Sequence, residues 1–326
     1  MKKIFFIVIL LIFVLFASSI TSIAQEKEII RVAAGGLQGQ WYATSVALTD
    51  IIAEDDPSIQ IDVVPGAGLA NPPRVGAGEI EMAMSFPIFT KTAVDGTPPF
   101  DDANPDIRGV IKGFGPSMMQ FIVSADVPYD TVEDLLENKY PIDLATERMG
   151  TTDEYCLTQV LKYYGVDYDT IKEWGGSVRH GGYGDMITLF KDGHVNAGFQ
   201  NIAAPSPSIV EISTSRDIKV LKFSDKMVED FNEQYAYAIG NIPAGTYGVV
   251  EEDLKSPTCV ASWIAHKDIS EDVVYRITKI ICENAEKVRE IHPSTTGFDP
   301  AKAPFDLGAP LHPGAEKYYK EAGYIK

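Results

Sequence analysis

Along the chain the apolar residues change their spacing at intervals, and each change marks a new element. Ile29-Ile30-Arg31-Val32-Ala33-Ala34 is a short apolar run ending at Gly35, the pattern of a buried strand. From Trp41 the period lengthens, and Ala43, Val46, Ala47 and Ile51 recur at helical spacing. Ile59, Ile61 and Val63 then alternate with Gln60 and Asp62, which predicts a second strand. Strand, helix and strand in this order form the βαβ unit of a layered, mainly parallel sheet.

The same grammar restarts midway. Phe121-Ile122-Val123 and Ile142-Asp143-Leu144-Ala145 read as strands, with a short helix over Thr131 to Leu136 between them. Leu157, Val160, Leu161 and Tyr164 mark one helical face that Gly165 closes. Met186, Leu189 and Phe190 mark another helix, ended by Asp192-Gly193, and Val195 to Phe199 is a strand. A C-terminal helix from Glu271 carries Val274, Ile277, Ile281 and Val288 on one side. Two βαβ systems joined by extended crossings predict an α/β protein of two lobes with a cleft between them. Ligands of such sheets sit outside the carboxyl ends of the strands, where loops from both lobes converge.

The N-terminus changes the setting. Lys2 and Lys3 precede the apolar run Ile4 to Ala17, and small residues follow up to Ser22-Ile23-Ala24. This is the order of a secretory signal peptide, with cleavage expected near Ala24 and the mature chain in the periplasm. The competing reading, a membrane anchor, needs about 18 or more consecutive apolar residues, and the run is shorter. No cysteine follows the run to accept a lipid. Removing 24 of 326 residues leaves 302, enough for two domains with separate cores. The expected division is residues 1–24 as signal peptide, 25–120 with 245–326 as the first lobe, and 121–244 as the second.

A formal net charge of −18 argues against nucleic acid or an anionic bilayer as partner. It does not exclude an anionic small ligand, because screening confines charge effects to about 8 Å in physiological salt. Three cysteines, Cys156, Cys259 and Cys282, lack paired spacing and fit buried thiols, although a Cys259–Cys282 bridge is open in an oxidising compartment.

Chemistry concentrates in the loops. Gly35-Gly36-Leu37-Gln38-Gly39-Gln40-Trp41-Tyr42 follows a strand and opens a helix, so its backbone N–H groups can face an anion at the helix's positive end. It matches neither nucleotide-loop spacing, and a plain strand-to-helix turn is the alternative. Pro65-Gly66-Ala67-Gly68-Leu69-Ala70-Asn71 also follows a strand; Asn71 either orients a ligand or caps its own turn. Gly78 to Ser85 runs from a turn into a buried strand with a hydroxyl at its tip. Arg148-Met149-Gly150-Thr151-Thr152-Asp153 precedes a helix and offers two hydroxyls, with Arg148 able to grip a carboxylate. There, helix capping by a threonine and a solvated Arg148 form the alternative. Metal-ligand spacing is absent among the five histidines, and no H-E-x-x-H, G-x-S-x-G or C-x-x-C occurs. An enzyme is therefore not expected, nor is a cofactor or metal.

Eight segments in order resemble the TAXI-type solute receptors of tripartite (TRAP) transporters. They are GGLQGQWY at 35–42, PGAGLAN at 65–71, GEIEMAMS at 78–85, TVEDL at 131–135, KDGHVNAGF at 191–199, IPAGTY at 242–247, VYRITKIICEN at 274–284 and LHPGAEKYYKEAGY at 311–324. The resemblance implies a type II periplasmic-binding-protein fold, two lobes joined by a hinge. It implies delivery of a small organic anion, such as glutamate or 2-oxoglutarate, to TRAP permease subunits driven by an ion gradient. The matching ligand-binding positions are Gly36, Gln38, Gly39, Tyr42, Asn71, Ser85, Thr151, Thr152 and Tyr247, with Arg148 added on its own chemistry and Trp41 also expected at the ligand. This sequence departs from the pattern at Leu37-Gln38, Trp41-Tyr42 and Gly150-Thr151-Thr152, so the ligand cannot be copied from a relative. A receptor presenting its ligand to a membrane sensor, and an exported enzyme on the same fold, are the competing readings.

Overall fold

The computed structural model describes residues 29–37, 39–235 and 237–326; the signal-peptide reading and Gln38 fall outside the described residues. β1 (Ile29–Ala33) leads through α1 (Gln40–Asp55) to β2 (Gln60–Val64), as the pattern predicts. α2 (Asn71–Gly76) and α3 (Pro87–Asp95) flank β3 (Met82–Ser85), and the long strand β4 (Ile107–Ser124) follows. α4 (Val132–Glu137), β5 (Asp143–Thr146), α5 (Thr152–Tyr163), α6 (Tyr168–Glu173), β6 (Ser177–His180), α7 (Tyr183–Lys191) and β7 (Ala197–Ile202) build the second α/β system. α8 (Pro207–Ser213), β8 (Ile218–Leu221), α9 (Asp225–Tyr235) and β9 (Ala238–Ile242) complete it. The long β10 (Leu254–His266) then returns, followed by α10 (Glu271–Glu283), α11 (Ala285–Glu290) and α12 (Pro313–Glu321).

The strands form one continuous path in the order β2-β1-β3-β10-β4-β7-β5-β6, with β8 on β4 and β9 on β10. Within each half the pairing is parallel where βαβ units supply it: β1 with β2 and β3, and β5 with β6 and β7. β4 and β10 run antiparallel through both halves. Residues 107–112 of β4 pair beside the β3 side of β10, whereas residues 118–123 pair with β7. Two strands crossing from one α/β layer to the other, with helices packed on each, give the two-lobed fold expected.

The crossing is where the backbone departs from regular geometry. β10 shifts register against β4 between Val260 and Ser262 and again between Trp263 and Ile264. Opposite these shifts, Gly113 and Gly115 take φ of +124° and +93°. Only glycine occupies such angles without steric cost, so the bend is written into the chain at two positions.

Two elements differ from expectation. α1 is present but rotated: it buries Thr44, Ser45, Leu48, Ile51 and Ile52, while Val46 is 38% exposed. Leu48, Ile51 and Ile52 carry more apolar area than Ala43 and Ala47, and so decide which face turns inward. The helix from Glu271 breaks at Asn284, whose φ of −98° and ψ of 32° leave the helical region. Its side-chain amide donates to Ile280 O (2.9 Å) and to Asp55 Oδ2 (2.7 Å), drawing the chain off the helical path. Val274, Ile277, Ile281 and Val288 are nevertheless all buried. Cys156, Cys259 and Cys282 are free thiols, each buried, and no bridge joins Cys259 to Cys282.

Candidate ligand site in the interlobe cleft

Loops from both lobes enclose a cavity of about 220 Å³, small enough for a metabolite. On the first lobe, Gly39 N donates to Gly36 O at 2.8 Å, closing a tight turn just before α1. Among the described residues no side chain caps α1, so the N–H groups of its first turn lie at the positive end of a 16-residue helix. Trp41 lines the cavity and packs edge-on against Phe86, ring centroids 4.7 Å apart. The next loop is tied to the first, since Gly66 N donates to Gly35 O at 3.2 Å.

The second lobe supplies Glu147, Arg148, Met149, Thr151, Thr152 and Asp153 from the segment between β5 and α5, with Tyr183, Asn201 and Ile202. Thr151 caps α5: its hydroxyl accepts from Glu154 N at 3.3 Å and donates to Arg148 O at 2.7 Å. Asp153 is buried, and its Oδ1 accepts from the Tyr183 hydroxyl (3.0 Å) and from Asn201 N (2.9 Å). Burial, reinforced by the charge of Glu147, pushes the Asp153 carboxyl up to about 7. Burial also raises Glu147, against the opposing pull of the Arg148 backbone N–H and guanidinium charge. Glu147 Oε1 accepts from Tyr183 N at 3.0 Å and Oε2 from Arg148 N at 3.2 Å. The Arg148 side chain is 69% exposed and lies 3.7 Å from Asp185, so its charge stands at the rim.

The two lobes touch over the cavity. A Cβ built on Gly68 would lie 1.7 Å from Thr152 Oγ1, so only glycine lets the loop Gly66–Gly68 close on α5. Likewise a Cβ on Gly39 would lie 3.2 Å from the Tyr183 ring.

Of the residues expected at the ligand, Gly36, Gly39, Trp41, Arg148, Thr151 and Thr152 line this cavity together. Four others stand elsewhere. Asn71 is fully buried behind the first-lobe loops: Oδ1 accepts from Ala67 N (3.1 Å), while Nδ2 donates to Ala33 O (3.2 Å), Ala34 O (2.8 Å) and Met84 O (2.9 Å). Its polar atoms are spent on holding the turn, the alternative reading of this residue. Asn71→Ala is expected to lower stability by about 3 kcal/mol, read by urea unfolding, because several buried backbone groups lose their partner at once. Ser85 is also fully buried, accepting from Thr90 Oγ1 at 2.8 Å. Tyr42 is half-buried on α1, its hydroxyl directed at Val63 O at 3.5 Å.

Tyr247 lies away from the cavity. Its hydroxyl donates to Gln120 Oε1 (2.6 Å) and accepts from Ser206 N (2.9 Å), joining β4 to the segment ahead of α8. Tyr247→Phe is therefore expected to cost about 1–2 kcal/mol in denaturant unfolding while cargo affinity stays unchanged.

Glu147, Asp153, Tyr183 and Asn201 were missed from the sequence. One signal for Asp153 was present: it stands three and four residues before Cys156 and Leu157, on the buried stripe continued by Val160 and Leu161. An acid on an apolar stripe is a departure that requires a partner. Tyr183 and Asn201 carried no such mark.

The profile of the NMT1-like family matches residues 32–323. Among solved structures, the periplasmic binding protein BugD shares 15% identity and a TM-score of 0.54, covering 91% of this chain and 98% of that one. PhnD1 from Prochlorococcus marinus, solved with methylphosphonate, shares 11% identity and a TM-score of 0.52 over 92% of this chain and 100% of its own. A structure described as a periplasmic transporter shares 14% identity and a TM-score of 0.52, covering 92% and 94% of the two chains. At these identities the likeness establishes the fold, the two-lobed arrangement of periplasmic binding proteins.

Proposed function

The chain belongs to the NMT1-like family, and on that premise we propose that it is an exported solute-binding receptor that closes two lobes on a small metabolite and delivers it to a membrane permease. One observation carries this reading: loops of opposite lobes, at Gly68 and Thr152, meet over a cavity lined by both. A site assembled from two bodies is complete only when they close, which is how a receptor couples capture to a change of shape.

The lobes divide within the two crossing strands. Against the expected division, the bonds of Tyr247 to Gln120 and Ser206 and the pairing of residues 254–258 with β9 favour counting 245–258 with the second lobe. The hinge then lies near Gly113–Ser117 of β4 and Val260–Ser262 of β10, where register and glycine angles break together.

Within the family, the ordered segments favour a TAXI-type receptor working with TRAP permease subunits. The uncapped start of α1 and its glycine loop favour cargo with a carboxylate, seated against backbone N–H groups. The raised Asp153 carboxyl, hydrogen-bonded to Tyr183, also fits an exported enzyme using an acid–base pair, and turnover separates the two.

The test is a thermal-shift screen of amino acids, 2-oxo acids, dicarboxylates and sugars, followed by calorimetry and by product analysis after prolonged incubation. A receptor raises its melting temperature with one narrow class and returns that ligand intact. Conversion of the ligand would sink the receptor reading in favour of an enzyme. A response to neutral sugars alone would remove the carboxylate from it.

A further inference from the structure

We infer that the cargo carries a protonated nitrogen, seated against Glu147, Asp153 and Asn201 on the second-lobe wall of the cleft. This rests on the receptor reading and narrows the class of its cargo.

Two buried carboxylates line the cavity, and among the described residues neither has a salt-bridge partner. The Arg148 guanidinium beside them turns outward to Asp185. Asp153 receives only neutral donors, the Tyr183 hydroxyl and the Asn201 N–H. Asp153 is thus a buried acid without a counter-charge, which is costly unless something bound supplies one.

The unpaired polar atoms indicate the same ligand. Asn201, 4% exposed, has no hydrogen-bond partner for either side-chain atom, and Thr152 Oγ1, at 5% residue exposure, has none either. Both residues line the cavity beside the acids. An ammonium group has three donors and no acceptor, so a carboxylate oxygen, Asn201 Oδ1 and Thr152 Oγ1 match it in number and kind, and the unpaired Asn201 Nδ2 is left to donate to an acceptor atom of the same cargo. An acceptor-only group such as a second carboxylate or a phosphonate would face Glu147 and Asp153 at close range in a weakly screened site. Cargo with a carboxylate at the first-lobe glycine loop and an amine at this wall satisfies both sides.

Protonation gives the inference a sign. The groups facing Asp153 are Glu147, the Tyr183 hydroxyl and Cys156, with Arg148 and Asp185 beyond Glu147. A bound cation favours the ionised acid, so affinity rises with pH through about 7 and binding releases protons. Anionic cargo held by a protonated Asp153 would bind with proton uptake and tighten as pH falls.

The experiment titrates the mature protein with pairs sharing a carbon skeleton: alanine and pyruvate, aspartate and oxaloacetate, glutamate and 2-oxoglutarate, leucine and 4-methyl-2-oxopentanoate. Titrations run at two pH values either side of neutrality, in buffers of differing ionisation heat. One nitrogen-bearing member is expected to bind at least about tenfold tighter than its oxo partner, with proton release. Asp153→Asn, or Glu147→Gln if the first variant fails to fold, loses that preference and raises the melting temperature of the cargo-free protein.

Equal or tighter binding of an oxo acid overturns the inference and leaves the receptor reading intact, whereas turnover removes the receptor reading itself. Proton uptake on binding, or a cargo-free melting temperature lowered by both variants, also overturns it. So does the absence of binding by every nitrogen-bearing probe.

Discussion

Gly68→Ala is expected to abolish tight cargo binding while leaving both lobes folded. The added methyl carbon would sit 1.7 Å from Thr152 Oγ1, far inside any tolerated contact, and 3.0 Å from Thr152 Cβ. With the lobes apart, the same methyl meets only solvent. The substitution therefore penalises the closed form selectively, and affinity falls by the factor that closed form loses. A loss of at least about a hundredfold is expected, equivalent to a penalty of about 3 kcal/mol on closure. Small-angle scattering supplies the structural readout. Wild type contracts on adding cargo, the variant stays extended, and Gly68→Ala combined with Thr152→Ala recovers part of the contraction. A variant that contracts as wild type does would show that Gly68 and Thr152 do not meet in the liganded state.

The second large effect needs no ligand. Folded Asp153 holds its proton to about pH 7, whereas an unfolded aspartate releases it near 3.8. Between those values the native state binds more protons than the unfolded chain, so the cargo-free protein loses stability as pH rises. For a shift of this size the loss approaches about 4 kcal/mol, complete above pH 7 and absent below the unfolded value. Carboxylates held low by partners, such as Glu81 beside Arg31 and Asp56 beside Ser58, act in the opposite direction, and their window lies below the ordinary carboxylate range. The difference between wild type and Asp153→Asn, followed by urea unfolding from pH 4 to 8, isolates the contribution of Asp153. A flat difference across that range would mean that Asp153 ionises normally and is not the uncompensated charge of the cleft.

These two effects share an origin. Gly68 permits the lobes to meet, and Asp153 and Glu147 lie buried on the wall of the cavity at which they meet. Without cargo these acids are buried at a cost, whereas a cargo that supplies positive charge relieves it.

Much of the architecture was legible from spacing. Alternation at Ile59, Ile61 and Val63 marked a strand, and Leu157, Val160 and Leu161 marked a buried helix face, since side-chain direction repeats every two residues in one and every 3.6 in the other. The facing loops were also legible, as glycines and hydroxyls placed between a strand end and a helix start. Spacing was weaker where neighbouring turns compete. Ala43, Val46 and Ala47 have the right period but too little apolar area, so Leu48, Ile51 and Ile52 turned α1 instead. Nothing in the local pattern at Asn284 required a break, because the pull comes from Asp55 on α1.

By itself, then, the sequence determined the alternating α/β elements and the loops that face each other, and it favoured three buried thiols while leaving a Cys259–Cys282 bridge open. These follow from local periodicity, helix-end chemistry and composition, which each short segment carries within itself. Only the tertiary structure decided which polar groups meet the cavity. It sent Asn71, Ser85 and Tyr247 into the scaffold and brought Glu147, Asp153, Tyr183 and Asn201 to one wall. That outcome depends on contacts between residues dozens of positions apart, and on burial, which gives a carboxylate its character only after the chain has folded around it.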